Sequence, residues 1–133
     1  MTTTAPRFGW YGDDFTGATD TLAVLAQAGL RSMLFMGVPS AQALVAAGPL
    51  DAIGIAGAAR AMAPDAMRVE LTGVGQFFRQ IAPTVLHYKV CSTFDSAPHV
   101  GNIACAIQTL HPSVDNRWVP ILGGQPSLGR YCA

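Results

Sequence analysis

Short apolar runs alternate with helix-patterned stretches along the whole chain, and this alternation constrains the fold more than any other feature. Arg7 to Gly12 reads as a strand, and Phe15 to Ala28 as a helix with Ala18, Leu22, Leu25 and Ala26 at helical spacing. Gly29 stops that helix. Ser32 to Gly37 is a second strand. Ser40 is placed to cap a short helix ending at Gly48-Pro49. Ala52 to Ala58, small and apolar throughout, suits a strand covered on both faces. Pro64-Asp65 opens a longer helix bearing Met67, Leu71, Val74, Phe77, Phe78 and Ile81. Thr84 to Val90 is a fourth strand, Pro98 to Leu110 a helix, and Trp118 to Leu122 a fifth strand. Strands separated by helices on short connections require right-handed crossovers. The expected fold is therefore α/β: a three-layer α/β/α sandwich with a mostly parallel sheet of five or six strands.

The 133 residues suffice for one domain and are too few for two ordinary ones. Half are hydrophobic and only 12% charged, which argues for a core and against disorder. Eight basic and eight acidic residues cancel, so no global field favours nucleic acid or an anionic membrane. No apolar run approaches the ~20 residues of a membrane span. The start, Met1 to Arg7, lacks the features of a signal peptide. Three cysteines without a C-x-x-C pair suit free thiols in a reducing cytoplasm. So apolar a surface is expected to seek a covering partner, and a homodimer is one way to supply it. The end, Leu128 to Ala133, has no polar tail and reads as cut within a larger protein.

In parallel α/β folds, ligands bind beyond the carboxyl ends of the strands. Nearly all the polar chemistry of this chain falls there. The first strand ends at Asp13-Asp14 and the third at Ala58-Ala59-Arg60. The fourth ends at Lys89, followed by Cys91-Ser92-Thr93-Phe94-Asp95-Ser96, and the fifth at Gly123-Gly124-Gln125. Two adjacent carboxylates repel and resist burial. One of them, with Asp14 nearer the helix start, can cap the following helix. The other can face the cleft as a general base or as an acceptor for substrate hydroxyls. Lys89, the only lysine, can pair with Asp13 or Asp95, or offer a point charge to a carboxylate or phosphate. Arg60 is either solvated or a fork for a carboxylate. Ser92, Thr93, Asp95 and Ser96 satisfy a turn and can also present donors and acceptors to a ligand. His87, His99 and His111 make no metal spacing with Cys91 or Cys105, so no metal site is expected. Neither nucleotide-phosphate motif, G-x-x-x-x-G-K-[ST] or G-x-G-x-x-G, follows a strand. A phosphoacceptor receiver domain would need an acid where Gly57-Ala58-Ala59-Arg60 stands.

"DDFTGATD" after the first strand, "AAR" after the third and "YKVCSTFDSAPHVGNI" at the fourth resemble the N-terminal domain of the four-carbon acid sugar kinase family. The resemblance runs from Phe8 to Tyr131. It implies a two-domain enzyme. Its N-terminal domain, here residues 1–133, holds a sugar acid such as threonate, erythronate or a 3-oxo-tetronate. A C-terminal domain in cis binds ATP with Mg2+, and the terminal hydroxyl is phosphorylated between the two. This chain alone would be inactive and bind neither ATP nor Mg2+. The catalytic candidates are Asp13 and Asp14. With Arg60, Lys89, Ser92, Thr93 and Asp95 they also form the candidate substrate site, the carboxylates accepting from hydroxyls and the cations meeting the acid. Two departures stand out. Many members read Asp-Ser-Thr after the lysine where this chain has Cys91-Ser92-Thr93, and Ser-Arg where it has Ala59-Arg60. The first marks a subgroup with a different substrate; the second removes a hydroxyl. The rival reading is a non-catalytic small-ligand-binding or effector-type domain of the same fold.

Overall fold

The computed structural model describes residues 5–131. The terminal stretches Met1 to Thr4 and Cys132 to Ala133, which entered the sequence reading, lie outside them. Four parallel strands, β1 (Phe8–Gly12), β2 (Ser32–Phe35), β3 (Ala52–Ala56) and β4 (Val85–Lys89), form one sheet in the order β2-β3-β1-β4. The helices are α1 (Phe15–Gln27), α2 (Ala41–Ala47), α3 (Pro64–Ile81) and α4 (Ile103–Leu110). α1 covers one face of the sheet; α3 and α4 pack together on the other. The expected layered α/β class is therefore present.

The sheet is smaller than the five or six strands expected. Trp118 to Leu122 forms no strand, and the outer edge of β4 is unpaired among the described residues. Pro120 sits in the middle of that run, where it removes a ladder donor. The run also has no facing layer: Trp118 and Leu122 are 82% and 86% exposed. The helix expected from Pro98 starts later. A tight Ala97–Val100 bridge and Gly101, at φ +58°, hold the chain out of the helix until Asn102 caps it through Cys105 N–H.

Alternation along β1 divides its side chains between the two layers. Tyr11 joins Ile53 and Ile55 against Met67, Leu71, Val74 and Phe78 of α3, the main core. Those α3 positions recur at helical spacing, and each fully buried side chain stabilises by roughly 1.5–3 kcal/mol. Trp10 points the other way and donates its indole N–H to Ala18 O of α1 at 3.2 Å. The β1–β3 register sets Trp10 beside Gly54, and the indole fills the space a Cβ there would need. At the amino end of the sheet, Asp51 accepts from the backbone and Nε of Arg31, both at 3.0 Å, and lies 3.8 Å from Arg7.

The order β2-β3-β1-β4 also positions the site. The chain leaves β1 over the α1 face and leaves β3 over the α3 face. The crevice between the carboxyl ends of β1 and β3 is thus a topological switch point, the place where such sheets leave room for a ligand.

Candidate functional site at the carboxyl end of the sheet

Asp13 continues β1 by donating its N–H to Lys89 O at 3.1 Å, and Gly57 continues β3 by donating to Gly12 O at 3.1 Å. Both strands then turn. After β3 a single 3-10 turn, Ala59–Ala61, carries Arg60 back across the crevice. Its backbone N–H reaches Asp13 O at 3.1 Å. Its side chain closes on the Asp13 carboxylate, Nη2 to Oδ1 at 2.7 Å and Nε to Oδ2 at 3.3 Å. This two-pronged contact is the charge-assisted fork that guanidinium makes best. Asp14 lies 3.3 Å from the same Nη2. One arginine thus holds two adjacent carboxylates together.

The two aspartates differ sharply. Asp13 is buried, at 2% exposure, with both oxygens on Arg60. Asp14 caps α1, its Oδ1 accepting from Gly17 N–H at 2.9 Å, and stays partly open to solvent. The capping role anticipated for one of the pair belongs to Asp14, which is also the member solvent reaches. Burial raises the Asp13 pKa above the usual aspartate value. Arg60 pulls it down, the Asp14 charge pushes it up, Lys89 pulls it down, and the net direction is upward. Arg60 in turn is held charged more firmly, chiefly by its bonds to Asp13.

Lys89 flanks the pair from the β4 side. Its Nζ donates to Val90 O at 2.7 Å and packs against the first turn of α1, where a Cβ on Gly17 would stand 3.6 Å away. It lines a groove of about 320 Å3 with Phe8, Val24 and His87. The serine–threonine loop adjoins Arg60. There Arg60, Cys91, Ser92 and Thr93 line an open cavity of about 630 Å3, completed by Gly123, Gly129, Arg130 and Tyr131. Arg60 and Lys89 therefore do not share one cavity. Asp95 is exposed and accepts from Thr93 Oγ1 at 2.7 Å, so it orients that hydroxyl from behind.

The loop is built tightly. Phe94 N–H closes a turn on Cys91 O at 3.0 Å, and Phe94 takes φ +51°, a left-handed conformation that costs a bulky residue roughly 1–2 kcal/mol. Such strain persists where surrounding structure enforces it. Gly101, further along the same connection, packs against the turn after β3. Its N–H bonds Met62 O at 2.9 Å, and a Cβ there would come within 2.5 Å of Arg60 O. The turn carrying Arg60 is thus fixed against Gly101, just before α4.

Arg130, not among the candidates expected from the sequence, also lines this cavity. Its Nη1 donates to Ser92 Oγ at 3.1 Å and to Gln125 Oε1 at 3.3 Å, which brings the chain's last described segment onto the cavity. An arginine preceded by Gly129, close behind Gly123-Gly124, was the available signal. Among the described residues no group of three or more His, Cys, Asp and Glu side chains could hold a metal ion.

A parallel sheet with a carboxylate–arginine pair at its switch point and an open cavity beside it is the arrangement of an α/β domain with a candidate small-ligand site. The chain belongs to the sugar-binding N-terminal domain family, whose match covers residues 8–133. It is 37% identical over 122 residues to a 3-oxo-isoapionate kinase of Paraburkholderia graminis, covering 92% of this chain and 26% of that protein. It is 35% identical over 133 residues to a 3-oxo-tetronate kinase of Pseudomonas fluorescens, covering 98% of this chain and 30% of that protein. The chain thus spans about 26–30% of the length of these curated relatives. A solved structure from Bordetella bronchiseptica, a domain of unknown function with bound citrate in a domain-swapped dimer, superposes with a TM-score of 0.70 at 23% identity. The match covers 81% of this chain and 26% of that one. At that identity it supports the fold.

Proposed function

We propose that this chain is the substrate-holding domain of an ATP-dependent kinase that phosphorylates the terminal hydroxyl of a four-carbon acid sugar of the threonate, erythronate or 3-oxo-tetronate type. The observation that carries the reading is the Asp13–Arg60–Asp14 cluster at the β1–β3 switch point, opening onto the cavity of Ser92 and Thr93. Family membership and the names of the relatives support the same class of ligand.

In this reading the site residues are Asp13, Asp14, Arg60, Lys89, Ser92, Thr93 and Asp95, and each has a physical task. Asp13 holds Arg60 across the crevice. Asp14, pinned through Oδ1 by the helix and reachable by solvent, offers its other oxygen to the hydroxyl to be phosphorylated. A carboxylate so placed can orient an alcohol and take its proton, worth about 10²–10⁴-fold in rate. Ser92 and Thr93, the latter oriented by Asp95, meet the remaining hydroxyls. Lys89 balances the carboxylates from the β4 side. A C-terminal domain in cis would bind ATP and Mg2+ and supply the phosphoryl group; phosphoryl transfer leans on positioning and charge stabilisation, to which this domain contributes the positioning. The setting is a reducing cytoplasm, where Cys91 and Cys105 stay free thiols. Self-association through the exposed Trp118, Ile121 and Leu122 belongs to the same reading.

The test is a thermal-shift screen of the chain with threonate, erythronate and 3-oxo-tetronate, with neutral four-carbon polyols beside them. Ligand binding raises apparent stability by mass action. The acids are expected to raise Tm and the polyols much less. No shift with any acid would overturn the reading. Acid binding without phosphate transfer by the longer protein that carries this domain, given ATP and Mg2+, would favour a non-catalytic binding domain instead.

A further inference from the structure

A ligand bearing a carboxylate needs a cation whose charge is not already taken. Three cationic side chains stand near the carboxyl ends of the strands: Arg60, Lys89 and Arg130. Arg60 spends its Nε and Nη2 on Asp13 and Asp14, at 3.3, 2.7 and 3.3 Å. An anion approaching Arg60 therefore also meets two carboxylates, which already take up its charge. Lys89 is directed to Val90 O and lines a different groove, with Phe8, Val24, His87 and Gln125, whose lining does not include Ser92 or Thr93. Arg130 differs from both. Its partners are neutral, Ser92 Oγ at 3.1 Å and Gln125 Oε1 at 3.3 Å, and it pairs with no carboxylate among the described residues. Both bonds are made by Nη1. The Nε and Nη2 edge, the one whose two parallel N–H groups match a carboxylate, makes no hydrogen bond among the described residues. Arg130 also lines the same cavity as Arg60, Ser92 and Thr93.

We propose that Arg130, braced by Ser92 and Gln125, is the residue that takes the ligand's carboxylate in the 630 Å3 cavity, which sets a polarity on the bound molecule: acid toward Arg130, hydroxyl tail toward Arg60, whose Nη2 lies 3.3 Å from Asp14. The assignment rests on the sugar-acid reading for the identity of the ligand, but the anion corner itself follows from the charge arrangement alone. Specificity for an acid over the corresponding neutral polyol resides in this arginine. Ser92 acts as a positioning residue, since its hydroxyl accepts from the guanidinium and fixes its plane.

The experiment is titration of the chain with threonate, with tartrate as a second hydroxy acid and with neutral threitol. It is followed by calorimetry and by the NMR signal of the arginine Nε–H groups, on the parent chain and on Arg130→Gln, Arg130→Lys and Ser92→Ala. Arg130→Gln is expected to weaken threonate about ten- to a hundredfold, the range for loss of one charge-assisted pair. It should leave the weak threitol response and the melting temperature unchanged. Arg130→Lys should recover part of the loss, and Ser92→Ala should weaken threonate less than Arg130→Gln. Threonate binding to Arg130→Gln at parental affinity would overturn the assignment and leave the sugar-acid reading intact. Equal loss of threonate and threitol, with no recovery in Arg130→Lys, would show a packing role and overturn it too. Tartrate bound through Arg130 with no response to threonate would keep the anion corner and sink the sugar-acid reading. A parent chain that binds neither acid would sink both.

Discussion

Arg60 reaches across the crevice from the turn after β3 and grips Asp13 at the end of β1, with Nη2 2.7 Å from Oδ1, so one ion pair ties together the two strands whose connections leave over opposite faces of the sheet. Asp13 is nearly sealed from solvent, whereas Arg60 is about a quarter exposed. Removing the arginine therefore strands a buried charge. Arg60→Met is expected to cost about 3–5 kcal/mol, the usual penalty for breaking a buried pair from one side. Asp13→Asn together with Arg60→Met should recover part of it, because the buried charge is then gone. Urea denaturation of the three variants measures both, and a loss under about 1 kcal/mol in Arg60→Met would refute the buried-pair account.

Two aspartates should titrate in opposite directions. Burial raises Asp13 above the usual 3.8, whereas the Arg31 side-chain and backbone bonds lower Asp51 below it. For a raised carboxylate, the stabilising contribution is fully present below the unfolded value and is lost as pH rises through the folded pKa. For a lowered one, the contribution is present above the unfolded value and is lost as pH falls through the folded pKa. Asp51→Asn should therefore flatten the acid limb of the stability curve. Asp13→Asn should instead change the slope just above 3.8. Carboxyl carbon NMR titration checks the two midpoints directly; an Asp13 midpoint below that of Asp51 would contradict the assignment.

Asp14 has two separable roles. As the cap of α1 it bonds Gly17 N–H at 2.9 Å. Asp14→Ala should cost about 0.5–2 kcal/mol, and Asp14→Asn, which keeps an accepting oxygen, much less. In the kinase proposed above, with this domain joined to an ATP-binding one, Asp14→Asn should nevertheless lower kcat about 10²–10⁴-fold with KM for the sugar acid little changed. Melting curves and steady-state kinetics on the same two variants separate capping from chemistry. Parental turnover in Asp14→Asn would make the carboxylate purely structural.

Gly54 has no room for a side chain. The indole of Trp10, 0% exposed, lies where its Cβ would be, on the adjacent strand and in register. Gly54→Ala should cost about 1–3 kcal/mol through overpacking. Gly54→Val should cost more, and Trp10→Phe should relieve part of either. Thermal unfolding of the single and paired variants tests this; additive losses would mean that the two residues do not compete for the same space.

The alternation of apolar runs with helical spacing made the four strands and the four helices legible, with bounds within a residue or two for most. That legibility is physical. A buried strand such as Ala52–Ala56 must be apolar on both faces, and a helix such as Pro64–Ile81 must repeat its core residues every third or fourth position. The same local pattern misled at Trp118 to Leu122, because an apolar run becomes a strand only where an edge and a covering layer receive it. It also misled at Pro98, where the helical stretch to come was visible but the Ala97–Val100 turn and the left-handed Gly101 were not.

The sequence by itself also determined that the polar side chains would gather at one end of the sheet, since parallel strands bring all their carboxyl ends to the same edge. Only the tertiary structure decided how they divide there. The crossover after β3 turns Arg60 onto Asp13. The lean of Lys89 toward α1 removes it from the Ser92 cavity, and the return of the last described segment delivers Arg130 to that cavity instead. Charge partners are chosen by distances of a few ångströms between residues 38 to 47 positions apart in the chain, and no local pattern carries that information.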